Sequence, residues 1–189
     1  MNYKEIEFKY DAKQVSIDSF KQLVESFNPK KKMLVSSYDD YFVDQKDNYI
    51  RYRFHDDWGE LTIKRKLNEK NNNERIEVNL PTSGNNLKSV SEFASLLGYS
   101  HNFGIFKTCY IYWLDNIVLS YYVVFDKELN EKRRFIEIEA DENHNWTSEQ
   151  EALLQVSKYE ELLEPLGSIS PRHRMKKSLF EIFKLEPKI

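Results

Sequence analysis

The sequence predicts an α+β fold: an antiparallel β-barrel with its charged strand faces turned inward and helices packed outside. Three observations predict it. Segment after segment alternates charged and apolar residues with the period of two that belongs to a strand. The signs of the charges are segregated, with acids on the first and last segments and bases on those between. Stretches of helical spacing interrupt the series. A sandwich would bury the apolar faces and leave the charged ones in water. A closed barrel can turn the charged faces inward and cover the apolar ones with helices. Period alone fits both, and the segregation favours the barrel, because an ordinary wet surface mixes its signs.

The elements follow in order. Residues 3–10 form a strand in which Glu5, Glu7 and Lys9 share one face and Ile6 and Phe8 the other. Residues 16–27 form a helix with Ser16 as N-cap, ended by Asn28-Pro29. Strands follow near 32–44, 48–55 and 59–67, separated by the turn residues Lys46-Asp47-Asn48 and Asp56-Asp57-Trp58-Gly59. A polar loop at 68–73 leads to a strand at 74–80, and Pro81-Thr82-Ser83-Gly84 breaks it. A helix at 86–97 ends at Gly98. Strands near 99–105, 106–114, 117–126 and 133–141 precede a helix at 148–165, where Ser148 and Glu151 have the spacing of a capping box. Pro165-Leu166-Gly167 stops that helix. The tail from Ser170 reads as a short basic amphipathic helix carrying Met175, Leu179, Phe180 and Phe183. Neither repeat nor linker is present, so residues 1–167 are expected to be one domain, with 168–189 a helical tail packed on it or extending from it.

Composition narrows the function. With 189 residues, 31% charged and 40% apolar, the chain is long enough to bury a core. Its net charge of −3 gives no basic field for a nucleic-acid duplex. The 12 tyrosines and 12 phenylalanines favour sheet. A lone cysteine, Cys109, excludes an intrachain disulfide, and neither an apolar leader nor a membrane span is expected. A cytoplasmic protein, a monomer or homodimer away from membranes, is expected. Only five glycines occur, and no Gly-rich phosphate loop, so phosphate must be gripped by side chains.

The charged faces supply those side chains. Arg51 and Arg53 share a face, as do Thr62, Lys64 and Lys66, then Arg75, Glu77 and Asn79. Lys107 and Asp126 stand on later strands, and Glu137, Glu139 and Asp141 on the last. One such strand alone describes any sheet with a wet face; their repetition with complementary signs carries the case for chemistry. Carboxylates are the hard ligands that Mg2+ or Mn2+ prefers. Arginine and lysine grip phosphate oxygens. Positioning and charge neutralisation are most of what phosphoryl transfer needs.

At these residues the chain resembles the CYTH superfamily, the triphosphate tunnel metalloenzymes. Glu5-x-Glu7-x-Lys9 matches their ExExK signature. Tyr38-Asp39-Asp40-Tyr41-Phe42 resembles D-x-Y-Y/F-D, imperfectly. Arg51-Tyr52-Arg53 resembles L-R-x-R, Leu61-Thr62-Ile63-Lys64 resembles L-T-x-K, and Arg75-Ile76-Glu77 resembles R-x-E. Phe135-Ile136-Glu137-Ile138-Glu139 resembles the closing F-x-E-x-E. A lone ExExK is weak, but six motifs in order over about residues 1–165 are specific. The resemblance implies an eight-stranded antiparallel tunnel that binds a triphosphate with Mg2+ or Mn2+. By position, Glu5, Glu7, Glu137 and Glu139 would hold the metal and carry catalysis, with Glu77 and Asp126 assisting. Lys9, Arg51, Arg53, Lys64 and Lys107 would hold the substrate.

Such a protein hydrolyses a nucleoside triphosphate or inorganic tripolyphosphate, or cyclises ATP as class IV adenylyl cyclases do. A non-catalytic binder of triphosphate or of an RNA 5′ end is the third reading, and the retained acids argue against it. Three departures concern the substrate. Lys107-Thr108-Cys109 stands where the family often has K-x-R; Arg133 and Arg134 are the nearest candidates to replace the arginine, and both read as surface charges. Asn79 replaces a second acid. A longer hairpin, Asp126 to Arg134, displaces the usual aspartate. His55, His101, His144 and His173 lack ligand spacing and read as solvated, as does the run Arg172, Arg174, Lys176, Lys177. Trp58, Trp113 and Trp146 read as packing residues rather than base-stacking platforms.

Overall fold

The computed structural model describes residues 6–46, 48–56, 58–66, 75–83 and 86–184, and for 64–66, 75–77 and 83 the backbone alone. The described residues form eight strands: β1 (Glu7–Asp11), β2 (Lys31–Val43), β3 (Tyr49–His55), β4 (Trp58–Lys66), β5 (Arg75–Ser83), β6 (Ser100–Trp113), β7 (Ile117–Phe125) and β8 (Glu131–Ala140). Four helices accompany them: α1 (Ile17–Glu25), α2 (Leu87–Leu96), α3 (Glu149–Leu163) and α4 (Leu179–Lys184). The strands make one antiparallel sheet in the order β1-β8-β7-β6-β2-β3-β4-β5, bearing out the α+β class. Among the described residues the sheet ends at β1 and β5, with no pairing between them. None of the described helices is long and apolar enough to cross a membrane.

Sequence period set most boundaries, and the departures have physical causes. The two segments expected at 99–105 and 106–114 are one strand, β6, because it pairs along its length with β2. β5 runs through Pro81 to Ser83 instead of breaking there. Among the described residues it is the last strand of the sheet, the place where a strand tolerates proline. Ser16 and Ser148 cap α1 and α3 as expected, accepting from the N–H groups of Ser19 and Glu151. Gly98 follows α2 with φ +83°, the left-handed conformation that ends helices. Gly104 is needed for room: a Cβ there would lie 2.0 Å from the Tyr38 hydroxyl and 2.7 Å from Asp40 Oδ1.

One face of the sheet is apolar and carries three helices. Phe20 and Val24 of α1 and Ala152, Val156 and Leu163 of α3 join Tyr10, Leu119, Tyr121, Ile136 and Ile138 in one core. Val90 and Ala94 of α2 cover Phe42, Ile50, Tyr52 and Leu61 in another. The third core is on the opposite, charged face. There Leu179, Phe180, Ile182 and Phe183 of α4 pack on Tyr41, Tyr49, Ile105, Val124 and Phe135. Phe180 stacks on Tyr49 with centroids 4.6 Å apart.

Of the tail's basic run, only Arg174 departs from the solvated reading. A 3-10 turn, Pro171–His173, brings the tail back to β1, where the Met175 N–H donates to the Lys9 carbonyl at 2.8 Å. Arg174 is bidentate on Glu160 of α3, whose carboxylate also accepts the Tyr10 hydroxyl at 2.5 Å. Its guanidinium lies 3.6 Å from the centroid of Phe8. Arg172, Lys176 and Lys177 remain exposed.

Phe180 is fully packed at 2% exposure. Phe180→Ala is expected to remove about 3–5 kcal/mol of stability in a urea titration. A loss under about 1 kcal/mol would mean that α4 does not hold its place on the sheet.

Candidate active site

The charged face has an order that register alone reveals. Glu137 on β8 pairs directly with Lys9 on β1 and Ser120 on β7. Its side-chain partner on β7, however, is Tyr122, two residues further on, whose hydroxyl donates to Glu137 Oε1 at 2.6 Å. Lys107 on β6 pairs directly with Val124, yet its ammonium lies 4.4 Å over the Tyr122 ring. On β2 its direct partner is Ser37, and its ion-pair partner is Asp39. From β8 to β2 contact thus steps two residues per strand, so that Glu137, Tyr122, Lys107 and Asp39 lie on one diagonal; on β3 Asp39 meets its direct partner Arg53, and Arg51 stands at the next stepped position. Such an offset is what tilted strands produce when side chains meet across their common axis. The apolar residues under α4 form a second diagonal, each two residues along its strand from a member of the first: Phe135, Val124, Ile105, Tyr41 and Tyr49.

Nearly every charge on and beside the first diagonal is matched. Lys9 Nζ lies 2.8 Å from Glu7 Oε1 and 2.9 Å from Glu137 Oε1. Burial works against the Lys9 charge, but Glu137 and Glu7 overcome it and raise its pKa well above the usual lysine value. Burial likewise opposes the Glu137 charge, and Lys9 and Lys107 outweigh it, holding that carboxyl low. Arg53 binds Asp39 through two bonds of 2.7 Å, Nε to Oδ1 and Nη2 to Oδ2. Asp39 is wholly buried, and Arg53 keeps it ionised far below the ordinary carboxylate range despite that burial. Arg51 donates to Glu60 at 3.1 Å and to Thr62 at 2.8 Å, and Thr62 donates to Asn79 at 2.8 Å.

Lys107 is the exception. It is buried, and its one ion-pair contact among the described residues is Asp39 Oδ2 at 4.0 Å. Burial and the neighbouring Arg53 both lower its pKa. Cys109 beside it has its thiol pushed up by burial, which marks a wall residue rather than a nucleophile.

The other expected site residues fall as follows. Glu139 is the direct cross-strand partner of Glu7, and like charges so placed repel unless a cation lies between them. Lys64 and Glu77 are register partners on β4 and β5, their side chains outside the described part, and Glu5 lies outside the described residues altogether. Asp126 belongs to the β7–β8 turn. Its carboxylate accepts the N–H groups of Glu128 and Asn130 and meets Lys132 Nζ at 2.8 Å. Arg134 is bidentate on Glu131, so it does not stand in for an arginine at Cys109. Sequence reading missed Tyr122 and Glu60 and gave Asp39 only a place in a motif; for Glu60 the available signal was its parity with Thr62. Among the described residues, no three metal-ligating side chains form a group. Glu7, Glu137 and Glu139 nonetheless offer a purely carboxylate set, and the Lys9 ammonium already sits as a cation between the first two.

The family model of the CYTH domain matches residues 3–172. The chain belongs to the CYTH family. Members of this family generally act on triphosphates with a divalent metal. Among solved structures, a conserved hypothetical protein from Pyrococcus furiosus matches with TM-score 0.71 at 24% identity, covering 94% of this chain and 98% of that one. A "putative adenylate cyclase" from Vibrio parahaemolyticus matches with TM-score 0.66 at 14% identity, over 96% and 98% of the two chains. Another so described, from Bacillus halodurans, matches with TM-score 0.62 at 17% identity, over 97% and 99%. At these identities the likeness is one of fold. No curated protein matches the CYTH chain.

Asp39→Asn would leave Arg53 without its buried counter-charge. The expected loss is about 3–5 kcal/mol at neutral pH, measured by urea unfolding. Because the folded pKa of Asp39 is depressed, its stabilisation is present above about pH 4 and fades as pH falls towards the folded pKa. The gap between wild type and variant should therefore narrow on acidification.

Proposed function

We propose that this CYTH protein is a divalent-metal-dependent triphosphatase that hydrolyses a nucleoside triphosphate or inorganic tripolyphosphate on the charged diagonal. The observation that carries the reading is Lys107. A buried ammonium is costly without a close counter-charge, and the diagonal pairs its other cations closely while leaving this one 4.0 Å from a carboxylate. An anion is what the site lacks at that point.

Lys107, Arg51 and Arg53, with Lys9 and Lys64, bind the phosphate oxygens. Arg53 can do so without releasing Asp39, whose two oxygens take Nε and Nη2 and leave Nη1. Glu7, Glu137 and Glu139, with Glu5, hold Mg2+ or Mn2+, and Glu77 assists; Asp126, held by its turn, is left out. A bound ion supplies charge neutralisation and a water acidic enough to attack phosphorus. The apolar diagonal and α4 close one side of the site, so the triphosphate reaches Lys107 from the side of Ser120, Cys109 and Ser37.

The test is product analysis with ATP, GTP, tripolyphosphate and thiamine triphosphate, each with Mg2+ or Mn2+. Orthophosphate is expected. Cyclic AMP with pyrophosphate would replace this reading with cyclisation, and tight binding without turnover would leave a binder. Glu7→Gln is expected to abolish turnover while the protein stays folded, and full activity would overturn the cation assignment. Lys107→Ala is expected to raise KM by about 10–100-fold, the value of a charge-assisted bond.

A further inference from the structure

We propose that Tyr122 is a positioning residue that couples the cation half of the site to its anion half; the inference rests on the cation assignment above. Tyr122 is 1% exposed, on β7 between the two groups. Its hydroxyl donates to Glu137 Oε1 at 2.6 Å. The Lys9 ammonium contacts the same oxygen at 2.9 Å. Two donors therefore occupy Oε1, and among the described residues Oε2 accepts none. Glu137 is held in one orientation with one oxygen left to bind a cation.

The face of the same ring does a second job. Lys107 Nζ lies 4.4 Å from its centroid, at cation–π distance. Phe135 fixes the ring from the adjacent strand, with centroids 5.2 Å apart and planes at 30°. Its rim orients a carboxylate and its face steadies the ammonium that lacks a close counter-ion. Phenylalanine would keep the second role and lose the first; leucine would lose both.

That difference sets the experiment. Mn2+ alone is titrated calorimetrically into wild type, Tyr122→Phe, Tyr122→Leu and Glu7→Gln. Tripolyphosphate is titrated into the same proteins in chelator, without metal. Tyr122→Phe should weaken Mn2+ binding by about 10–100-fold, the usual effect of removing a hydrogen-bond partner from a metal ligand. Its metal-free tripolyphosphate affinity should stay within about twofold of wild type. Tyr122→Leu should weaken both, the second by about 2–30-fold. A merely structural role would not split the two affinities in Tyr122→Phe.

Wild-type Mn2+ affinity in Tyr122→Phe overturns the positioning role, whether or not Tyr122→Leu folds. If Glu7→Gln abolishes Mn2+ binding in the same series, the cation assignment survives that result. If wild type binds no Mn2+, or Glu7→Gln binds it unchanged, both readings fall together.

Discussion

The bidentate pair between Arg53 and Asp39 is the interaction on which the charged face depends. A fully buried carboxylate costs several kcal/mol unless its charge and both oxygens are met. Asp39 meets that condition through two short bonds from the neighbouring strand. The pair joins β2 to β3, and Lys107 of β6 faces it. At the other end of the diagonal, Lys9 draws Glu7 and Glu137 together and so joins β1 to β8. The face is self-neutralising at its ends and short of negative charge in the middle. That imbalance gives it a reason to take up an anion.

The two diagonals divide a single sheet face into surfaces of different character. Along any one strand the change takes only two residues: Glu137 to Phe135, Lys107 to Ile105, Asp39 to Tyr41, Arg51 to Tyr49. An apolar helix can therefore lie directly against a row of charges without burying them unpaired. α4 needs only six residues because four of them are buried.

Strand period and sign segregation in the sequence were enough to place the strands and to say which residues share a face. Lys9, Arg51, Arg53, Lys107 and Glu137 came from that parity, and the structure puts them on one side of the sheet. Parity is silent about position along the face. Which residue of β7 meets Glu137 depends on register and strand tilt, and these emerge only when the whole sheet is assembled. For that reason Tyr122, one tyrosine among 12, carried no mark of its role. The resemblance gave Asp126 an assisting role by its place before the closing strand, and the local turn whose N–H groups its carboxylate accepts is a feature that only the assembled hairpin shows. Arg174 differs from its exposed basic neighbours for a similar reason: its buried partner on α3 is one that no local pattern announces.

The fastening of β1 bears on how the chain is made. Tyr10 and Glu160 are 150 residues apart in sequence, and β1 takes its ladder from β8 and its backbone contact with Met175 from the tail. During translation the first strand emerges long before any of these partners exists. It must wait, unpaired and carrying half of the acids, while seven other strands are synthesised. Closing so long a loop is a slow step in folding. The ability to bind a ligand is therefore acquired only once β8 has been made, and a nascent chain halted before β8 would have the basic strands without the acids that complete them.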